Sequence, residues 1–136
     1  MNDREMITVV LVRTMKEPEV VEIPDSLEAM QKLVGGNIEE YMPFEDDVAI
    51  ICNEEGKIAG LDANRLIVDD SGEACDVICG DFFLAFAPVE SERFLSMPPE
   101  KIEKYMKKFE YPEKICIFNG QLMVERVTSK GREMER

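Results

Sequence analysis

The chain opens on a stretch with hydrophobic residues on both alternating faces, Met6-Ile-Thr-Val-Val-Leu-Val-Arg13. β-branched residues dominate it, which predicts an interior strand covered on both sides. Lys16-Glu-Pro-Glu19 interrupts it as a turn, and Val20-Val-Glu-Ile23 returns as a second strand paired back on the first. The period then changes. Leu27, Met30, Leu33 and Val34 form one apolar stripe at helical spacing, with Glu28, Gln31 and Lys32 outside it. Asp25 or Ser26 is placed to cap this helix, with Glu28 as the capping-box partner of Asp25. Gly35-Gly36 ends it, because one glycine can supply the left-handed residue after the last turn. A glycine pair also invites a phosphate-loop reading. These glycines follow a helix instead of preceding one, so no helix N-terminus faces a ligand there.

Asn37–Met42 predicts a third strand, and the acidic loop Glu45-Asp-Asp47 leads into a buried strand at Val48-Ala-Ile-Ile-Cys52. Asn53-Glu-Glu-Gly56 predicts a tight hairpin turn with Gly56 at positive φ, and Lys57–Leu61 the returning strand. Residues 62–72 are polar and loop-like except at Leu66-Ile-Val68. Val77–Ala87 is the most hydrophobic stretch, broken at Gly80-Asp81 by a bulge or by a turn between two strands. Pro98-Pro99 opens a second helix, whose Ile102, Tyr105, Met106 and Phe109 fall on one face. Its Glu100–Lys104 and Glu103–Lys107 pairs have the favourable orientation of a solvated face. Two alternating runs around Asn119-Gly120 predict a hairpin from Lys114 to Val127. The predicted architecture is α+β: a mostly antiparallel sheet, two helices packed on it and a C-terminal β-hairpin. Residues 1–127 read as a single domain with 113–127 as an added hairpin, and 128–136 as a flexible charged tail.

Composition narrows the chemistry. No apolar run approaches the roughly 18 residues of a membrane span. The opening residues lack the pattern of a secretory leader, so a soluble, cytoplasmic protein is expected. The net charge of -13 is unevenly spread: residues 1–92 hold 22 acids against 6 bases, whereas residues 93–136 hold 7 against 10. The acidic part repels nucleic-acid phosphates and anionic membranes, and suits a basic protein surface or an imitation of DNA. No histidine occurs, which removes Ser-His and Cys-His nucleophiles, His-ligated metals and His acid–base chemistry together. Cys52, Cys75, Cys79 and Cys116 contain no C-x-x-C pair, and three of them sit in apolar runs, so buried reduced thiols are expected and no metal site. The nine methionines fall mostly at core-like positions and read as packing.

Four segments in order carry a resemblance over about Ile7 to Phe109. They are the first strand followed by Leu27–Glu39; Asn53-Glu-Glu-Gly56-Lys57 with Leu61 and Asn64-Arg65; Val77–Phe83; and the helix Ile102–Phe109. Together they resemble an uncharacterised family of short bacterial and phage proteins, domain of unknown function 3846. The resemblance implies cytosolic proteins, often of phages and mobile elements, and brings no reaction, cofactor or catalytic residue. Counter-defence or host takeover is plausible by that association alone. The hairpin from Lys114 lies past the family's usual ending.

The candidate ligand-binding residues are Arg65, Asn64, Asn53 and Lys57. Arg65 and Lys57 are the only bases from Leu33 to Glu92, a span with fifteen acids. An arginine there can fork onto a ligand phosphate or carboxylate, or pair with Asp62, Asp69, Asp70 or Asp81 and fix the loop. Asn53 reads more naturally as a turn residue. The acidic loops lack the EF-hand spacing for calcium. The expectation is therefore a non-catalytic acidic protein, with no cofactor, that binds and modulates a host or cognate protein. The alternative is a binder sequestering a nucleotide-type signal, with Arg65, Lys57 and lysines of the second helix converging, across a homodimer if needed. Direct nucleic-acid or membrane binding is not expected.

Overall fold

A strand that is apolar on both faces must be covered on both faces, and three strands here meet that condition. Residues 5–128 are described by a computed structural model. Its first six strands and first helix run β1 (Met6–Val12), β2 (Glu19–Pro24), α1 (Leu27–Val34), β3 (Ile38–Tyr41), β4 (Val48–Asn53), β5 (Ala63–Val68) and β6 (Ala74–Cys79). Then follow β7 (Phe82–Phe86), α2 (Pro99–Lys108), β8 (Glu113–Phe118) and β9 (Gln121–Arg126). The main sheet has the order β2-β1-β7-β4-β3 with every pair antiparallel. β5–β6 and β8–β9 form separate two-stranded sheets, so the architecture is α+β with a C-terminal hairpin, as expected.

The three central strands, β1, β7 and β4, are the most apolar, and alternation sends their side chains to two cores. One face carries Val9, Leu11, Ala49, Ile51, Phe83 and Ala85 against Met30 and Val34 of α1. The other carries Val10, Val12, Val48, Ile50, Phe82 and Leu84 against Tyr105 and Phe109 of α2 and against Ile67 and Ile78 of the β5–β6 layer. The two helices thus cover opposite faces. The edge strands β2 and β3 each carry two glutamates among apolar residues, as suits strands with one neighbour.

Local signals held where the chemistry was local. The Ser26 side chain accepts from the Ala29 N–H, and Gly35 closes α1 at φ 80°. With Ser26 as the cap, the third helical position is Ala29, so the expected Asp25–Glu28 capping box does not form. Leu27, the first residue of α1, is 57% exposed and falls outside the buried stripe. Asn119 and Gly120 both take positive φ, the geometry of a two-residue hairpin turn.

Four expectations are corrected. Lys57–Leu61 is not a returning strand; residues 54–60 make successive turns, and β4 pairs with β3 and β7 instead. The strand pairing comes from a more apolar competitor distant in sequence. Gly56 does not need positive φ. Its glycine identity follows from close approach, since a Cβ there would lie 2.5 Å from the Cys79 carbonyl oxygen. Only Cys52 of the four thiols is buried, while Cys75 and Cys116 are exposed because β6 and the hairpin present those positions to solvent. Of the methionines, Met30 and Met97 are buried in the core, whereas Met6, Met15, Met42 and Met123 are largely exposed. Gly80-Asp81 is a turn between strands that belong to different sheets, with Gly80 at φ 91°. The tail expected from residue 128 lies, except for Thr128, outside the described residues. No described helix is long and apolar enough to cross a membrane.

Candidate functional site

Arg65 projects from β5 into the interior and is fully buried. Its Nη1 donates to Asn64 Oδ1 at 2.8 Å, and its Nη2 donates to the carbonyls of Lys16 and Phe109, both at 2.9 Å. Asn64 is also fully buried, and its Nδ2 donates to the carbonyls of Val12 and Gly80 at 3.0 and 2.9 Å. Asn64 and Arg65 therefore join the end of β1, the turn after it, the end of α2 and the β6–β7 turn. Phe109 is the C-cap of α2, where carbonyls lack helical partners and a cation is favoured. Burial lowers the Arg65 pKa, and nearby Glu113 acts against that shift. The expected fork onto a ligand is thus replaced by a fork onto backbone carbonyls. None of Asp62, Asp69, Asp70 or Asp81 takes up its guanidinium, because strand alternation points Arg65 inward, away from those loops.

Asn53 and Lys57 stand elsewhere, at a half-open cleft of about 330 Å³ between the 53–58 turns and β6. Asn53 Oδ1 accepts from the Glu55 N–H at 2.7 Å, which sets the turn. Its Nδ2 donates to the Val34 carbonyl at 3.1 Å, which ties that turn to the end of α1. Lys57 Nζ meets Asp76 Oδ1 at 2.6 Å, and this hydrogen bond raises the lysine pKa. The other ionised side chains around the cleft are Glu39, Glu54 and Glu55. None of the three forms an ion pair among the described residues. The cleft therefore carries four carboxylates and one ammonium group, already engaged.

Two thiols also line the cleft. Burial pushes the Cys52 thiol up to about 11 and raises Cys79, so both are protonated near neutral pH. Among the described residues no group of three or more His, Cys, Asp or Glu side chains is placed to hold a metal ion.

The lysines of α2 do not converge on Arg65 or Lys57. Lys101 and Lys104 both bind Asp46 in the acidic loop, and Tyr105 donates to the same carboxylate at 2.9 Å. Burial pushes Asp46 up, but the hydrogen bonds from Lys101, Lys104 and Tyr105 outweigh it and hold the carboxyl at about 2. This network escaped the sequence reading, because nothing local links position 46 to a helix more than fifty residues away. Asp76 escaped it too. Its only signal was its place among the acids flanking the most hydrophobic stretch.

A family model described as a domain of unknown function, DUF3846, matches residues 7–110, about three quarters of the chain. The chain belongs to that family. The match ends before β8, so both the cleft and the Arg65 cluster fall inside it and the β8–β9 hairpin falls outside. No curated protein and no solved structure matches the chain.

Proposed function

We propose that this is a non-catalytic binding protein that engages a basic segment of a partner protein at the carboxylate-lined cleft. The observation that carries the reading is the charge of that cleft: Glu39, Glu54, Glu55 and Asp76 surround a single lysine that Asp76 already occupies. A phosphate entering it would meet repulsion from three carboxylates without an ion-pair partner, and Arg65 is sealed in the interior. The nucleotide-type reading is the weaker one on both counts. A cytoplasmic setting, a host or cognate partner and a role in phage or mobile-element counter-defence belong to the same proposal and rest on the sequence resemblance alone.

The test is titration of a fluorescent arginine-rich peptide at low and moderate salt, followed by anisotropy. Charge reversal at Glu54 and Glu55 should weaken binding about tenfold, by analogy with rim and cleft charges elsewhere. Reversal of two exposed carboxylates on β2, Glu19 and Glu22, is the control and should change it little. Equal weakening by both pairs would mean that net charge alone attracts the peptide, and the cleft would be dropped. Stoichiometric binding of a mono-, di- or cyclic oligonucleotide in native mass spectrometry would reverse the choice between the two readings.

A further inference from the structure

The β8–β9 hairpin is made of two runs with no charged residue from Ile115 to Val124. It extends from the body with Ile117 73% exposed and Phe118 65% exposed, and Leu122, Met123 and Val124 are open as well. Two strands alone are marginal in water and gain stability from a third strand or a packed face. The hairpin has neither along β9, which pairs with β8 and with no other described strand.

The rest of the molecule shows how this chain treats an open edge. The free edges of the main sheet, β2 and β3, present exposed Glu19, Glu22, Glu39 and Glu40. Carboxylates at such positions oppose pairing with another strand. The outer edge of β9 has no equivalent over Leu122–Val124. The two-residue turn makes Phe118 and Gln121 the first hydrogen-bonded pair. By alternation, Leu122 and Val124 then direct their N–H and C=O groups outward, away from β8.

We propose that β9 of one copy pairs antiparallel with β9 of a second copy, about a two-fold axis near Met123 and Val124. The resulting four-stranded sheet would have the order β8-β9-β9-β8. Charge opposes the meeting of two copies least at this place. A protein of net charge -13 repels its own copies, and the uncharged hairpin is where two copies can approach with least opposition. Pairing would satisfy the outward N–H and C=O groups of Leu122 and Val124 and bring Leu122, Met123 and Val124 of the two copies side by side as cross-strand apolar neighbours. A two-fold contact uses the same patch twice and closes, leaving no β9 edge for further growth. The inference is independent of the cleft and of its proposed basic partner.

Sedimentation velocity of the full chain across the micromolar range tests it, with hydrogen exchange read at single amides. The expected result is a monomer–dimer equilibrium that tightens with added salt, as repulsion between the acidic bodies is screened. The amides of Leu122 and Val124 should gain protection as the dimer fills. The double variant Leu122→Lys, Val124→Lys should remain monomeric, with its far-UV circular dichroism unchanged because both positions are exposed. A wild-type monomer throughout the range would overturn the proposal without recourse to any variant. So would a dimer that the double variant leaves intact, one that weakens with salt, or assemblies that grow without limit.

Discussion

Replacing Arg65 by alanine separates an architectural role from a ligand-binding one. The substitution removes three good hydrogen bonds, to Asn64 Oδ1 and to the carbonyls of Lys16 and Phe109. Each acceptor left buried without a partner costs about 1 kcal/mol. Loss of the long buried stem adds a cavity term of roughly 1–2 kcal/mol. Removing a buried charge also removes its desolvation penalty, which offsets part of the loss. The net expectation is a destabilisation of about 3 kcal/mol. With a urea m-value of about 2 kcal/mol/M, the midpoint should fall by roughly 1.5 M. Arg65→Met, which keeps the stem volume, should recover the cavity part and leave the carbonyls orphaned. The assay is urea unfolding at pH 7, followed by circular dichroism and aromatic fluorescence. A midpoint within about 0.3 M of wild type would refute the reasoning, given the usual error of such extrapolations. If that unchanged stability came with lost binding of a nucleotide-type ligand, Arg65 would return as a ligand group.

Three other outcomes follow from the same geometry. Asp46 has a folded pKa of about 2, below its ordinary 3.8, so its contribution is present above the ordinary value and lost as pH falls through the folded one. Asp46→Asn should therefore cost about 1–2 kcal/mol at pH 7, and urea midpoints of variant and wild type should converge towards about pH 2. Gly56→Ala forces a Cβ to 2.5 Å from the Cys79 carbonyl and should cost roughly 2–3 kcal/mol, whereas Gly60→Ala, with open space at φ 78°, should cost only about 1 kcal/mol of backbone strain; thermal melts of the pair decide this. Exposed Cys75 and Cys116 should react rapidly with a thiol reagent at mildly alkaline pH, while buried Cys52, its thiol pushed up to about 11, should react only on unfolding. Equal rates for Cys52 and Cys116 would contradict the core assignment.

Periods and stops are properties of neighbouring residues, and these were legible without a fold. The β-branched run of Met6–Arg13, apolar on both faces, the helical stripe of Ile102–Phe109 and the Asn119-Gly120 turn each became the expected element. The failure at Lys57–Leu61 is instructive. Its short apolar pattern suited a strand, but β4 could pair with only two neighbours, and β7 offered Phe82–Phe86, buried on both faces. Which strands pair is a competition over the whole chain, and no local window contains it. The candidate site divides in the same way. The sequence singled out Asn53, Lys57, Asn64 and Arg65 by charge and turn chemistry. It had no means of seeing that one pair would be enclosed and the other left at a cleft.

By itself, then, the sequence determined most of the elements, though not the turns at Lys57–Leu61 or the start of β5 at Ala63, together with the α+β class, the acidic imbalance and the lack of histidine, because each depends on composition or on spacing along a few residues. The tertiary structure decided the strand order and the splitting of two helices onto opposite faces. It also decided the burial of Arg65, which requires the carbonyls of Lys16 and Phe109, each more than forty residues away in the chain. A charge can enter a core only where such acceptors have been gathered first, and gathering them is the work of the fold.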